Sequence, residues 1–171
     1  MGVTYPDVFA AIGANSGLEY KASTSYNASH PLLTGSPGPN PVQQGQVIKQ
    51  AMGSYARRRP TLVFHGTADT IVPYIHGVEI AISMASANAL VDPTFTNSDY
   101  LTPNSNLTGH VPNGHSYHAA SWNDECNKPV VQFFTVLGMD HRWSGGALAN
   151  VSGAGASNIE SIKGVLTYPL G

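Results

Sequence analysis

The sequence predicts an α/β fold, an open parallel sheet with helices on its faces. Three observations predict it. Apolar runs recur at residues 8–14, 61–65 and 130–137, and each closes on a turn of glycine or small polar residues. Helical stripes lie between the runs, at residues 41–55 and 78–90. Strand and helix therefore alternate, the order that builds parallel sheets through helical crossovers.

The elements follow in chain order. Thr4-Tyr5-Pro6-Asp7 is a turn, and Val8 to Ala14 is an uncharged apolar run that ends in Asn15-Ser16-Gly17. It reads as a strand buried on both faces, as parallel strands are. Residues 20–41, rich in Ser, Thr, Asn, Gly and Pro, read as loop. Pro41 to Tyr55 carries Val42, Val47, Ile48, Ala51 and Met52 at helical spacing. The triplet Arg57-Arg58-Arg59 reads as a solvated helix end, where cations complement the helix dipole. Thr61 to His65 is the second strand, and Val78 to Leu90 a helix packed on the sheet. Residues 92–114 are polar and without period, hence loop. His115 to Trp122 and Val130 to Leu137 flank the turn-rich Asn123-Asp124-Glu125-Cys126-Asn127-Lys128-Pro129. That pattern suits an irregular hairpin whose second arm is a core strand. Gly145 to Gly155 is small and polar, and Asn158 to Leu166 reads as a last helix. The expectation is about three core parallel strands, flanking helices and a hairpin insertion, in a single unit over residues 1–171.

Composition excludes some functions. The net charge of −2 leaves no basic stripe to neutralise phosphates, so no nucleic-acid partner is expected. No stretch is long and apolar enough to span a bilayer, so no membrane partner is expected. Cys126 is the single cysteine, so no intrachain disulfide can form. The Asn-, Ser- and Thr-rich, Lys-poor composition suits an exported, extracellular or periplasmic protein, and sequons stand at Asn27, Asn106 and Asn150.

Two motifs carry chemistry. His65-Gly66-Thr67-Ala68-Asp69-Thr70-Ile71-Val72-Pro73 follows the second strand, and Gly138-Met139-Asp140-His141-Arg142-Trp143-Ser144-Gly145-Gly146 follows the third. Each presents an ionisable residue at the carboxyl end of a strand, where open α/β sheets place their reactive groups. An Asp and then a His delivered this way are the last two members of a Ser…Asp…His hydrolase triad, in α/β-hydrolase order. Asp69 would orient the imidazole and His141 would act as general base. The first member should lie upstream in a G-x-S-x-G elbow, and the 171 residues contain none.

The motifs resemble those of polyhydroxybutyrate depolymerase-like esterases, α/β-hydrolases related to feruloyl and acetylxylan esterases. The resemblance runs through Tyr5-Pro6-Asp7-Val8-Phe9-Ala10-Ala11 with Ser16-Gly17, then the Asp69 block with Gly77, then the His141 block. It implies the C-terminal part of such a domain, with the serine and oxyanion hole in a nucleophile-bearing half absent from these residues. It implies a carboxylic ester hydrolase acting on hydroxyalkanoate, feruloyl or related esters, without cofactor or metal. Asp140 departs from the pattern, in which a glycine precedes the histidine. Two other readings stand beside it: a non-catalytic fragment or pseudoenzyme, and one half of a split esterase.

Other residues have plainer readings. Ser16 follows a strand but lacks the elbow's first glycine, since Ala14 is there, and reads as a loop serine. Ser144 is too near His141 to attack independently. His65 should pack beneath the Asp69 turn. The histidines at 110, 115 and 118 lack the carboxylate or fourth histidine of a metal site and read as exposed hairpin residues. Trp122, Trp143, Tyr74 and Tyr100 are candidates for a cleft lining or for the core. Without strands upstream, Val8 to Ala14 would be an open edge, and self-association through it is expected.

Overall fold

The computed structural model describes residues 1–95, 97 and 99–144. The expected last helix, the glycine-rich segment from Gly145, and the sequon at Asn150 lie outside the described residues. Among the described residues five strands form one sheet: β1 (Ile12–Asn15), β2 (Thr61–Gly66), β3 (Ser105–His110), β4 (Ser116–Asn123) and β5 (Pro129–Val136). Their order is β1-β2-β5-β4-β3. The three strands β1, β2 and β5 are parallel, while β4 and β3 run antiparallel beside β5. The expected three parallel strands and the β4–β5 hairpin are therefore present, with β3 as an added outer strand.

Helix α2 (Pro41–Met52) starts where Asn40 caps it, its side-chain oxygen accepting from Val42 N and Gln43 N, with Pro41 in the first turn. Helix α3 (Ile75–Val91) is apolar nearly all round and is buried from Ile80 to Asn88. The two helices pack together over one face of the sheet, and Ile48, Met52, Val63, Ala81, Met84, Ala85, Val131 and Phe133 form the core there. Phe134, Val136 and Met139 form a smaller cluster, joined by Leu62, Phe64 and Tyr117.

Four expectations are corrected. First, the strand expected over Val8 to Ala14 begins only at Ile12; Val8 is 68% exposed. The cause is Arg59, whose guanidinium takes the carbonyls of Pro6 and Phe9 and so bends the segment away from a ladder. Second, the basic triplet is not a solvated helix end. Arg59 is 1% exposed, and Arg58 pairs with Asp92 and Asp124 and donates to Thr94. Third, residues 20–41 hold helix α1 (Tyr26–Leu33), capped by Ser25, with Pro31 inside and Leu32 its buried residue. Fourth, residues 92–114 hold β3, whose exposed polar residues give no alternation but pair in register with β4.

Candidate active site

The site is built where β2 and β5 end side by side. Thr67 N donates to Val136 O at 3.0 Å, Ala68 N to Met139 O at 3.0 Å, and Gly138 N to the Thr67 hydroxyl at 2.8 Å. Gly138 turns at φ +74°, a conformation glycine adopts without strain. Gly66 is required by proximity: a Cβ there would lie 2.0 Å from the Met139 carbonyl oxygen. The turns carrying Asp69 and His141 are thus laced backbone to backbone.

Asp69 is buried and fully engaged. Its Oδ1 accepts from Ile71 N at 3.0 Å and Val72 N at 2.8 Å. Its Oδ2 lies 2.9 Å from His141 Nδ1. Burial alone pushes this carboxyl upward. The Val72 N–H, His141 and the Ile71 N–H together outweigh burial and hold it below the usual carboxylate range. The His141 side chain remains 40% exposed. One ring nitrogen is therefore tied to a buried carboxylate while the ring stays open to solvent.

His65 supports the turn from beneath. It is wholly buried, its Nε2 is 2.8 Å from Val72 O, and it sits against Tyr74 edge-on. Burial pushes the imidazole below its ordinary range, against the pull of Val72 O and Asp69. The 3.4 Å approach of His65 Nε2 to Asp69 Oδ2 is therefore a contact of a neutral ring, not an ion pair. With Nε2–H donated to Val72 O, His65 closes the loop that shapes Asp69.

The other candidates are placed apart from this pair. Ser16 sits at the end of β1 at φ +48°, its hydroxyl buried and without a hydrogen-bond partner among the described residues. Ser144 donates its hydroxyl to Met139 Sδ at 3.3 Å. Asp140 pairs with Arg142 at 2.6 Å on the surface. His110 bonds the Ser116 hydroxyl and His115 the Leu137 carbonyl. Trp122 is a core residue that donates to Tyr100 O, and Tyr74 stacks on Phe133 and bonds Thr135. Trp143, two residues beyond His141, is 74% exposed. Cys126 is exposed. Among the described residues no helix is long and apolar enough to cross a membrane.

One residue of the site escaped the sequence reading. Asn15, at the end of β1, donates from Nδ2 to Arg142 O at 2.9 Å and accepts at Oδ1 from Ser144 N at 3.3 Å. Its partners lie more than 120 residues away, so no local pattern marks it.

Comparisons with known proteins agree with the family-level resemblance. The chain is 27% identical to poly(3-hydroxyalkanoate) depolymerase C of Paucimonas lemoignei, over all of its own length and 39% of that protein. It is 28% identical to feruloyl esterase B of Talaromyces stipitatus, over 61% of the chain and 30% of that protein. Acetyl xylan esterase from Aspergillus awamori shares the fold, with a TM-score of 0.63 at 19% identity over 82% of this chain and 48% of that one. No protein-family model matches. The chain thus has an esterase-type α/β-hydrolase fold and resembles esterases and depolymerases, spanning well under half the length of those sequence relatives.

Proposed function

We propose that this chain is the acid–base part of a carboxylic ester hydrolase that works by Ser-His-Asp acyl transfer. Asp69 orients His141, and His141 is the general base. The serine and its oxyanion donors come from a segment outside these residues. The observation that carries the reading is the 2.9 Å Asp69–His141 bond at the carboxyl edge of β2 and β5, with Asp69 held by two further backbone N–H groups.

The chemistry follows from that bond. Asp69 holds the proton on Nδ1 and leaves the Nε2 lone pair outward. Nε2 takes the serine proton as the serine oxygen attacks the ester carbonyl, and the buried carboxylate stabilises the resulting imidazolium. His141 then returns the proton to the departing alcohol. A water repeats the cycle on the acyl-enzyme with the same base, releasing acid and free serine.

The relatives' names support hydroxyalkanoate or feruloyl-type esters as substrates, and the Asn-, Ser- and Thr-rich, Lys-poor composition supports an extracellular or periplasmic site of action. A second arrangement, a split enzyme with the serine on another chain, fits the position of β1 equally well. It is the outer strand of the described sheet, so one side of its backbone is open to pair with a further strand.

The test joins this chain behind the stretch of the Paucimonas lemoignei depolymerase that precedes the 39% of that protein it matches. The joined protein should hydrolyse p-nitrophenyl butyrate, and His141→Ala should abolish turnover. A joined protein labelled by a serine-directed phosphonate, yet turning over equally well with His141→Ala, overturns the reading.

A further inference from the structure

We infer that Asn15 is a positioning residue for His141, an inference that rests on the Asp69–His141 reading above. Its side-chain amide is a two-point clamp on the loop that carries the histidine. Nδ2–H bonds the carbonyl of Arg142, the residue directly after His141, and Oδ1 receives the N–H of Ser144. The two bonds have opposite polarity, so one amide orientation satisfies both and the reverse satisfies neither.

The clamp completes a set of anchors. On the amino side of His141, the Met139 carbonyl is bonded by Ala68 N, and Met139 itself is buried. On the carboxyl side, the backbone of the exposed residues His141 to Trp143 is tied down at Arg142 and Ser144 by Asn15. Without it, the exposed loop would keep the Nδ1 bond to Asp69 and short-range bonds such as Arg142 N to Asp140 O and the Ser144 hydroxyl to Met139 Sδ, none of which reaches β1. A single hydrogen bond at a part-exposed site is worth little net free energy, so two more decide how often the loop is closed.

The clamp also sets where the base stands. Asn15 ends β1, and β1 is the outer strand of the described sheet. β2 fixes Asp69 and β5 delivers His141, while β1 fixes the far side of the histidine loop. The base is therefore registered against three strands. A serine arriving on a strand beside β1 would meet a histidine whose position is referenced to that same strand.

The choice of residue is specific. An aspartate would still accept from Ser144 N–H but would face the Arg142 carbonyl with a charge and no donor. Alanine would lose both bonds. Neither change alters the β1 backbone ladder, since Asn15 pairs with Phe64 through main-chain atoms.

The experiment uses the 15N-labelled chain and follows two protons, the His141 Nδ1–H far downfield of the amides and the Ser144 amide. In the unsubstituted chain both should be protected from solvent exchange. In Asn15→Ala both should exchange about tenfold faster or more, the effect of losing two hydrogen bonds, while the sheet amides keep their shifts. In Asn15→Asp the Ser144 amide should stay protected while the His141 proton exchanges faster. Either variant, with sheet amides unchanged, showing the His141 proton at its original exchange rate overturns the inference. If the unsubstituted chain lacks the downfield proton, the Asp69–His141 reading falls, and protection of the Ser144 amide that survives Asn15→Ala rejects the clamp separately.

Discussion

The carbonyl oxygen of Met139 occupies the space into which any side chain on Gly66 would project, 2.0 Å from an ideal Cβ. These two residues end β2 and follow β5, so their contact sets the spacing between the turns of Asp69 and His141. The obstacle is backbone and cannot rotate away. Gly66→Ala should destabilise the chain by about 1–3 kcal/mol, as forced overpacking does. It should also lengthen the Asp69–His141 bond. Thermal unfolding measures the first effect and the downfield His141 proton the second.

Glu19 makes stability depend on pH in an unusual direction. Glu19 is 4% exposed, and both of its carboxyl oxygens are buried. Burial, and then the neighbouring Glu79, push it up to about 8 from 4.5, with Ser83 opposing. The folded state thus holds a proton that the unfolded chain has released between those two values. Stability should fall as pH rises across that window. Glu19→Gln should remove this slope and leave the variant more stable than the unsubstituted chain at pH 8 and above. Asp69, Asp92 and Asp124 act oppositely: they sit below 3.8, and their stabilisation is lost as pH falls through their folded values. Urea unfolding from pH 3 to 9 checks both limbs.

The open side of β1 should make the chain associate. Unpaired strand edges template pairing with other chains unless charge or a bulge blocks them. Val8 adds an exposed apolar residue beside it. Sedimentation velocity should show concentration-dependent self-association, reduced by Gly13→Lys, which places a charge on the edge where a Cβ meets nothing within 4 Å. A monomer at every concentration contradicts this.

By itself, the chain should not turn over p-nitrophenyl butyrate above the background of exposed histidines, and a serine-directed phosphonate should label none of its serines. The Ser16 hydroxyl is buried, and the Ser144 hydroxyl is directed to Met139. Stoichiometric labelling of either would mean that the nucleophile lies within these residues.

The residues show why some of this was legible and some was not. β2, β5, α2 and α3 announce themselves because each is an apolar run or stripe, periodic in α2 and near-continuous in β5 and α3. Asp69 and His141 are legible because each follows such a strand through a glycine turn. Helix α1 is hidden by its polar composition and internal Pro31, since a single buried leucine leaves no stripe. β3 is hidden because an exposed outer strand needs no alternation. Arg59 looks like surface charge until the carbonyls of Pro6 and Phe9 fold over it. Asn15 looks like a turn residue because its partners come from the other end of the described chain.

If Asp69 sets the proton of His141, the tautomer of that ring reports it. With Asp69 ionised and bonded to Nδ1, 15N shifts above the imidazole pKa should show the proton on Nδ1 and a bare Nε2. In Asp69→Asn the amide oxygen should keep the Ile71 and Val72 N–H groups, turning its NH2 toward His141 and moving the ring proton to Nε2. In Ser-His-Asp enzymes that inversion costs about 10⁴-fold in kcat. A His141 ring protonated on Nε2 in the unsubstituted chain, and unchanged by Asp69→Asn, would contradict the account.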